Sequence, residues 1–176
     1  MTAVIPLLLL SAGPLPASSV RNPKPAIKLE SAWAPGAAIP ARYTCSGQNA
    51  SPPLKFSGVP GNAKSLALVM NDPDAPAKVW THWVLFNIPP ATAAIAENSI
   101  PAGALAGRND FGSESYGGPC PPGGAHRYNI RVYALDCMLS LPKDADRTKL
   151  DAAMKGHIIA EGELSGVFSR KTHFWQ

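Results

Sequence analysis

Residues 65–88 read SLALVMNDPDAPAKVWTHWVLFNI, and this stretch determines the fold that the sequence predicts. Two apolar runs of strand length, residues 65–70 and 82–88, flank a loop rich in aspartate and proline. Continuous apolar runs bounded by turn-forming residues are typical of strands that are buried on both faces. A third run, residues 128–135, places alternate apolar side chains on one face. These three runs predict the centre of a β-sheet.

Shorter elements are predicted on either side of these runs. Residues 39–45 are expected to form a short strand and residues 158–169 a longer one. Residues 91–106 are rich in small side chains, and we expect them to form an irregular surface connection. We therefore expect a mainly β domain over residues 25–176.

The composition supports this fold class. The 176 residues include 19 prolines and 15 glycines, and proline is about twice as frequent as usual. Proline is excluded from helix interiors and central strands, so the excess predicts short elements joined by fixed turns and excludes a helical bundle. Only one helix is predicted, capped by Asp144 or Asp146 and ended by Gly156.

Residues 1–24 are expected to form an apolar, signal-like segment and a linker. Their apolar run, residues 3–10, is shorter than the ~20 residues that span a bilayer, so no transmembrane span is expected. Small residues at positions 17–19 resemble a signal-peptide cleavage site. A periplasmic or secreted location is predicted, and a cytoplasmic location is the alternative because no Lys or Arg precedes the apolar run.

The charge pattern limits the kinds of partner. The net charge is +4, and the basic residues are scattered without a run or a basic–aromatic motif. We therefore expect no nucleic-acid partner, while a small phosphate-bearing ligand fits the weak positive charge.

Three cysteines, Cys45, Cys120 and Cys137, leave two alternatives open. Their spacing matches neither a disulfide framework nor a zinc motif. One disulfide with one free thiol fits an exported protein, and three buried thiols fit a cytoplasmic one.

Two rigid loops carry the polar residues that are candidates for function. In the first loop, Pro73 and Pro76 restrict the backbone around Asp72 and Asp74. These two aspartates either bind a ligand or accept backbone N–H groups in an Asx turn. The second, residues 117–124, is rich in glycine and proline, and its N–H groups suit either an anion cradle or a structural turn.

These loops carry a resemblance to a known family. The motifs are DPDAP at residues 72–76, HW at 82–83, GPCPPGGAHRY at 118–128, YTCSGQNASPPL at 43–54, and AAMKGHIIAEGELSGVFSR at 152–170. Together and in this order they resemble the phosphatidylethanolamine-binding protein family, in its bacterial and archaeal Raf-kinase-inhibitor-like branch. The resemblance implies a large antiparallel sheet packed on a smaller one, one or two short helices, one of them near the C-terminus, and a small pocket for phosphate, acetate or a phospholipid head group.

The resemblance also implies the ligand-binding residues. Those that line the pocket would be Asp72, His82 and His126. Those in the loop wall would be Gly118, Cys120 and Pro122. Those that frame the mouth would be Trp80, Tyr116 and Tyr128. Asp74 and Arg127 would form a structural ion pair between the two motifs. No catalytic residue, cofactor or metal is expected.

The expected function is non-enzymatic binding of a small anion or phospholipid head group, with a protein kinase or protease as a further expected partner. Asp72 would either hydrogen-bond a histidine ring or receive the ammonium of an ethanolamine head group. The alternative is a hydrolase or lyase that uses Asp72, His82 and His126, or Cys120, as catalytic groups. A metal triad of Asp72 and the two histidines ranks lower. A monomer and a homodimer are both compatible with the sequence.

Overall fold

The computed structural model describes residues 26–170, so the signal-like segment predicted for residues 1–24 lies outside the described residues. The regular structure of residues 26–170 is mainly β-strand. A five-stranded antiparallel sheet has the order β6-β4-β3-β7-β8, and a three-stranded antiparallel sheet has the order β1-β2-β5. The strands are β1 Lys28–Glu30, β2 Leu54–Ser57, β3 Ser65–Asp72, β4 Trp80–Ile88, β5 Ala94–Ile95, β6 Leu105–Ala106, β7 Ala125–Leu135 and β8 Ile158–Ser169. The predicted fold, a large sheet with a smaller one and a helix near the C-terminus, is confirmed.

The predicted apolar runs form the centre of the large sheet. Every residue of β3 is buried, and in β4 only Trp80 is partly exposed. Leu66, Leu68 and Met70 belong to a core cluster shared with the small sheet, whereas Ala67 and Val69 belong to a second cluster on the opposite face. Since both faces are covered, the runs are continuously apolar rather than alternating.

Strands β7 and β8 form the longest strand pairing in the described part of the chain. Their register runs from Ala125 opposite Ser169 to Leu135 opposite Ile158. Within β7, Tyr128 is fully buried with the alternate apolar residues that follow it, as the period-2 pattern predicted. The glycine-rich loop before β7 and the connection that follows β7 therefore lie at opposite ends of the large sheet.

The one α-helix among residues 26–170, α1 Arg147–Met154, packs on the second face of the large sheet. Asp146 is the cap, because its carboxylate accepts the N–H of Lys149 at 3.0 Å. Leu150 and Met154 are buried beneath the helix, and Gly156 adopts φ +88° where the chain turns into β8. The described residues include no helix of the length and apolar character needed to cross a bilayer.

Two local predictions are wrong. Residues 39–45 do not form a strand: Ala41–Tyr43 is a 3-10 turn, in which the N–H of Tyr43 donates to the carbonyl of Pro40 at 3.0 Å. Pro40 lacks the N–H that a strand ladder needs, and the turn buries Tyr43. Residues 91–106 are not wholly irregular, because β5 and β6 extend the edges of the two sheets.

We predict that Leu68→Ala lowers the free energy of unfolding by about 2–5 kcal/mol, since Leu68 is fully buried between the sheets. Val79→Ala is the control, because Val79 is 52 % exposed and its truncation should change stability by less than about 0.5 kcal/mol. Equilibrium urea unfolding measures both. Equal effects of the two substitutions would contradict the assignment of this face to the core.

Candidate functional site

The candidate site lies where the ends of three neighbouring strands meet. Strand β3 pairs with β4 through Asp72 opposite Trp80, and with β7 through Asn71 opposite Asn129. Because these strands are antiparallel, the end of β3 lies beside the beginnings of β4 and β7. This antiparallel pairing therefore brings both loop motifs to the same end of the sheet.

A pocket of about 210 Å³ opens at this edge. Its lining residues are Asp72, Ala75, Pro76, Trp80, His82, Phe111, Cys120, Pro121, Pro122 and His126. A larger groove of about 610 Å³ runs along β1 and β8. The smaller pocket is the candidate site because two histidines and a carboxylate converge there on a mostly apolar wall.

His126 is held by Asp72. Its Nδ1 lies 2.7 Å from Asp72 Oδ2, and the two side chains are only 10 % and 5 % exposed. The second carboxylate oxygen, Oδ1, accepts the N–H of Asp74 at 2.8 Å. An ionised carboxylate only accepts hydrogen bonds, so the Nδ1 of His126 carries the proton. This contact leaves Nε2 as the nitrogen available to a ligand.

His82 is held in the same way by a backbone carbonyl. Its Nδ1 donates to the Gly117 carbonyl oxygen at 2.6 Å, and its ring contacts Tyr128 and Phe111 edge-on, with centroids 5.2 and 5.3 Å away. Burial lowers the pKa of His82, although the Gly117 carbonyl and the Asp72 carboxylate oppose the shift. His82 is therefore neutral near pH 7, and its Nε2 is an acceptor until the ring takes up a proton.

Two further donors near the pocket have no hydrogen-bond partner among the described residues. They are the indole Nε1 of Trp80, which lines the pocket, and the hydroxyl of Tyr128. Burial and the Asp72 carboxylate raise the pKa of Tyr128, so the hydroxyl stays protonated at physiological pH. A buried donor without a partner costs about 1–3 kcal/mol, and a ligand that accepts from the Trp80 indole, which lines the pocket, would recover part of that cost.

An ion pair joins the two loop motifs. The Asp74 carboxylate accepts three hydrogen bonds from Arg127. The donors are Nη2 at 2.6 Å, Nε at 2.9 Å and the backbone N–H at 2.8 Å. These contacts lower the pKa of Asp74 far below its usual range. The Arg127 side chain is largely exposed, so solvent screens the charges and the contact mainly fixes the relative position of the two loops.

Gly118 packs against the chain behind its loop. Its N–H donates to Asn49 Oδ1 at 2.8 Å, and a Cβ there would lie 2.6 Å from the carbonyl oxygen of Tyr43. The glycine permits this close packing, and its place in the loop wall stays a prediction.

Tyr116 and Tyr128 lie elsewhere than at the pocket mouth. The Tyr116 hydroxyl donates to the Tyr43 carbonyl at 2.7 Å, and its ring packs edge-on against Trp83. Tyr128 is fully buried in β7 and supports His82. A backbone acceptor holds Tyr116 beside Trp83, whereas Tyr128 is buried in the core and contacts the His82 ring from there.

Phe111 also lines the pocket, although nothing in the sequence predicted it as a site residue. Phe111 is 51 % exposed, and its ring contacts Trp80 and His82. The Phe111 loop is organised by buried Asn109, which donates to the carbonyls of His82 and Ser115 and accepts two backbone N–H groups of its own loop at 3.0 Å. An asparagine within a polar loop of ordinary composition gives no hint of this role.

A disulfide between Cys45 and Cys120 forms part of the pocket wall, with Cα atoms 5.4 Å apart. It joins the chain after the 3-10 turn to the proline-rich loop, and Cys137 is the free cysteine. Of the two alternatives that the sequence left open, the structure has one disulfide with one free thiol rather than three buried thiols. The disulfide also makes the use of Cys120 as a nucleophile wrong, because a sulfur in a disulfide offers no thiolate.

We predict that Gly118→Ala destabilises the protein by about 1–3 kcal/mol, since the new methyl group would overlap the backbone of Tyr43. Gly123→Ala is the matched control in the same loop, because a Cβ at Gly123 would have no heavy atom within 4 Å. Thermal or urea unfolding measures both variants. The packing described for Gly118 would be contradicted if the two variants lost the same stability.

We also predict that Cys45→Ser with Cys120→Ser lowers the free energy of unfolding by about 2–4 kcal/mol, because the bridge closes a loop over a separation of 75 residues. Reductant should destabilise the natural chain but not this double variant. Cys137→Ser serves as the control and should leave the reductant effect in place. A natural chain whose stability is insensitive to reductant would argue against the disulfide.

Comparisons with known proteins agree with this architecture. The family model described as Phosphatidylethanolamine-binding protein matches residues 30–169. A UPF0098 protein of Methanothermobacter thermautotrophicus is 53 % identical over 137 residues, which cover 75 % of this chain and 91 % of that protein. A UPF0098 protein of Pyrococcus horikoshii is 45 % identical over 156 residues, which cover 84 % of this chain and 79 % of the relative.

Solved structures show the same similarity. The crystal structure of CT736, a PEBP homolog from Chlamydia trachomatis, superposes with a TM-score of 0.80 at 41 % identity and covers 83 % of this chain and 99 % of its own. That of Escherichia coli YbcL, described as a member of the mammalian PEBP family, gives 0.76 at 32 % identity, with 82 % and 99 % covered.

Proposed function

Because the chain belongs to the phosphatidylethanolamine-binding protein family, we propose that its pocket binds a small phosphate-bearing anion, free or as a phospholipid head group, without transforming it. The observation that carries this proposal is the pair of imidazoles, each fixed through Nδ1 and each lining one pocket of about 210 Å³. That volume is below the roughly 300 Å³ at which pockets for drug-sized ligands begin, and it suits a phosphate or head group.

The protonation states explain how an anion would be held. In the neutral rings the Nδ1 protons are committed to Asp72 and to the Gly117 carbonyl, so each Nε2 is an acceptor. An anion without a proton of its own also only accepts hydrogen bonds. Its binding to Nε2 therefore requires proton uptake by the imidazole, which adds both a donor and a positive charge.

Asp72 is assigned to positioning rather than to binding an ammonium group. Both of its oxygens are already engaged, one by His126 and one by the N–H of Asp74, and its side chain is 5 % exposed. A carboxylate with these contacts holds the ring and balances the charge of an imidazolium. This favours the first of the two roles that the sequence left open for Asp72.

The enzymatic alternative has less support. The Asp72–His126 pair resembles the orienting acid and base of nucleophilic enzymes, which need a hydroxyl or thiol beside the base. None of the residues lining the pocket carries a hydroxyl, and Cys120 is in a disulfide. The residues that line the pocket thus offer no nucleophile for covalent catalysis, and the enzymatic alternative reduces to acid–base chemistry by Asp72, His82 and His126.

The disulfide supports the predicted export. Disulfides persist in oxidising compartments and are rare in the cytosol of mesophiles. We propose that the protein acts in the periplasm or outside the cell, where Cys45 and Cys120 stay bridged.

We predict that dimethyl phosphate, whose single charge does not titrate near neutrality, binds more tightly as the pH falls from about 8 to about 5. Burial lowers the pKa of His82 in the free protein, and a bound anion raises it. Between the pKa of the bound state and the pKa of the free state, affinity should therefore increase by up to about tenfold for each unit by which the pH falls. Calorimetry in buffers of different ionisation enthalpy should show net proton uptake. Inorganic phosphate can supply its own proton, so its affinity should depend less on pH.

His126→Gln and Asp72→Asn should each weaken dimethyl phosphate binding at least tenfold, because they remove or misalign a ring. His157→Gln is the matched control, since His157 lies beyond the far end of β7 and β8. A pH-independent affinity, or a loss in the control variant equal to that in His126→Gln, would contradict the proposal. Methanol release from the bound ester would establish the hydrolase alternative instead.

A further inference from the structure

Three side chains of types that bind metal ions converge at the end of the large sheet that is remote from the pocket. Asp136 and Cys137 directly follow β7, and His157 directly precedes β8. Each offers one ligand atom, and these atoms all lie within 4.8 Å of one another. With a rise of about 3.3 Å per residue, the ten residues from His126 to Asp136 separate this cluster from the pocket by roughly 33 Å.

The backbone fixes this cluster in place. The N–H of Asp136 donates to the carbonyl of His157 at 3.1 Å, and the N–H of His157 donates to the carbonyl of Met154 at 3.0 Å. The hydroxyl of Ser65, which is fully buried, donates to the carbonyl of Cys137 at 2.6 Å. The three side chains therefore project from backbone that is held by the sheet and the end of α1.

The donor set selects a class of ion. A thiolate, an imidazole and a carboxylate are the groups that bind Zn²⁺, whereas Ca²⁺ and Mg²⁺ prefer oxygen ligands alone. Cys137 packs beside the apolar cluster on the α1 side of the sheet, while Asp136 and His157 are exposed. Solvent thus reaches the cluster from one side, where water can complete a four-coordinate ion.

The carboxylate and the imidazole are close to the separation that such an ion needs. Asp136 Oδ1 and His157 Nδ1 lie 2.8 Å apart in a hydrogen bond. Ligand atoms around a tetrahedral Zn²⁺ lie about 3.3–3.6 Å apart, given bonds of about 2.0–2.3 Å. The exposed Asp136 and His157 side chains can separate by this fraction of an ångström, while their backbone hydrogen bonds stay in place.

We propose that Asp136, Cys137 and His157 form a binding site for Zn²⁺ or a similar transition-metal ion, with water as the remaining ligand. The site is independent of the anion pocket and of the function proposed for it. It would connect the end of β7 to the beginning of β8 and so tie the helical connection between them to the sheet.

Cobalt(II) tests this proposal, because a cobalt–thiolate bond gives a charge-transfer absorption that other ligands do not. The chain has three cysteines, and Cys45 and Cys120 are bridged, so Cys137 is the only thiol that can give this signal. The full chain with its disulfide intact should bind one equivalent of Co²⁺ with this absorption and with visible bands of four-coordinate intensity. Added Zn²⁺ should abolish both.

Cys137→Ser should remove the charge-transfer absorption, and His157→Ala and Asp136→Asn should each weaken Co²⁺ binding at least tenfold. His126→Gln should leave the signal unchanged, and unfolding curves should show that all variants are folded. The proposal is overturned if the natural chain shows no thiolate absorption, if His157→Ala binds Co²⁺ as tightly as the natural chain, or if His126→Gln loses the signal.

Discussion

The antiparallel pairing of β3 with β4 on one side and β7 on the other is the constraint on which the rest of the structure depends. It brings the end of β3 beside the beginnings of its two neighbours, and it buries β3 and nearly all of β4 between two apolar clusters. Asp72, His82 and His126 lie on these strands rather than on their loops, and all three side chains are buried. The scaffold that holds them is therefore part of the packed core.

The second level of organisation is the fixing of each ring by its Nδ1. Asp72 holds His126, and the Gly117 carbonyl holds His82, so the two imidazoles are oriented independently of any ligand. The Asp74–Arg127 contact and the Cys45–Cys120 bridge then hold the loops around them. A site oriented in advance loses little conformational entropy when it binds, and a small anion that makes few contacts needs that advantage.

Much of the fold could be predicted from the sequence, because burial on both faces leaves a local signal. The continuous apolar runs at residues 65–70 and 82–88 predicted β3 and β4, and the run at 128–135 predicted most of β7. The turn at Ala41–Tyr43 was missed because Arg42, Tyr43 and Thr44 suggested a short strand, whereas Pro40 and the burial of Tyr43 favour a turn.

The site was less accessible to sequence reasoning. Asp72 and His126 are 54 residues apart, and only the family resemblance placed them together before the strand pairing was known. The inward orientation of Tyr116 depends on tertiary contacts, namely the Tyr43 carbonyl and the Trp83 ring. The same holds for the cysteine pairing, since three cysteines allow several arrangements and only the fold brings two together.

The state of the two imidazoles tests the central claim most directly. Nitrogen-15 NMR of the histidine rings reports which nitrogen carries the proton, with and without dimethyl phosphate. We expect the Nδ1–H form for both rings when they are neutral, and a change of the His82 Nε2 signal toward the protonated form when dimethyl phosphate binds. Rings in the Nε2–H form, or a His82 Nε2 signal that dimethyl phosphate leaves unchanged, would contradict the account.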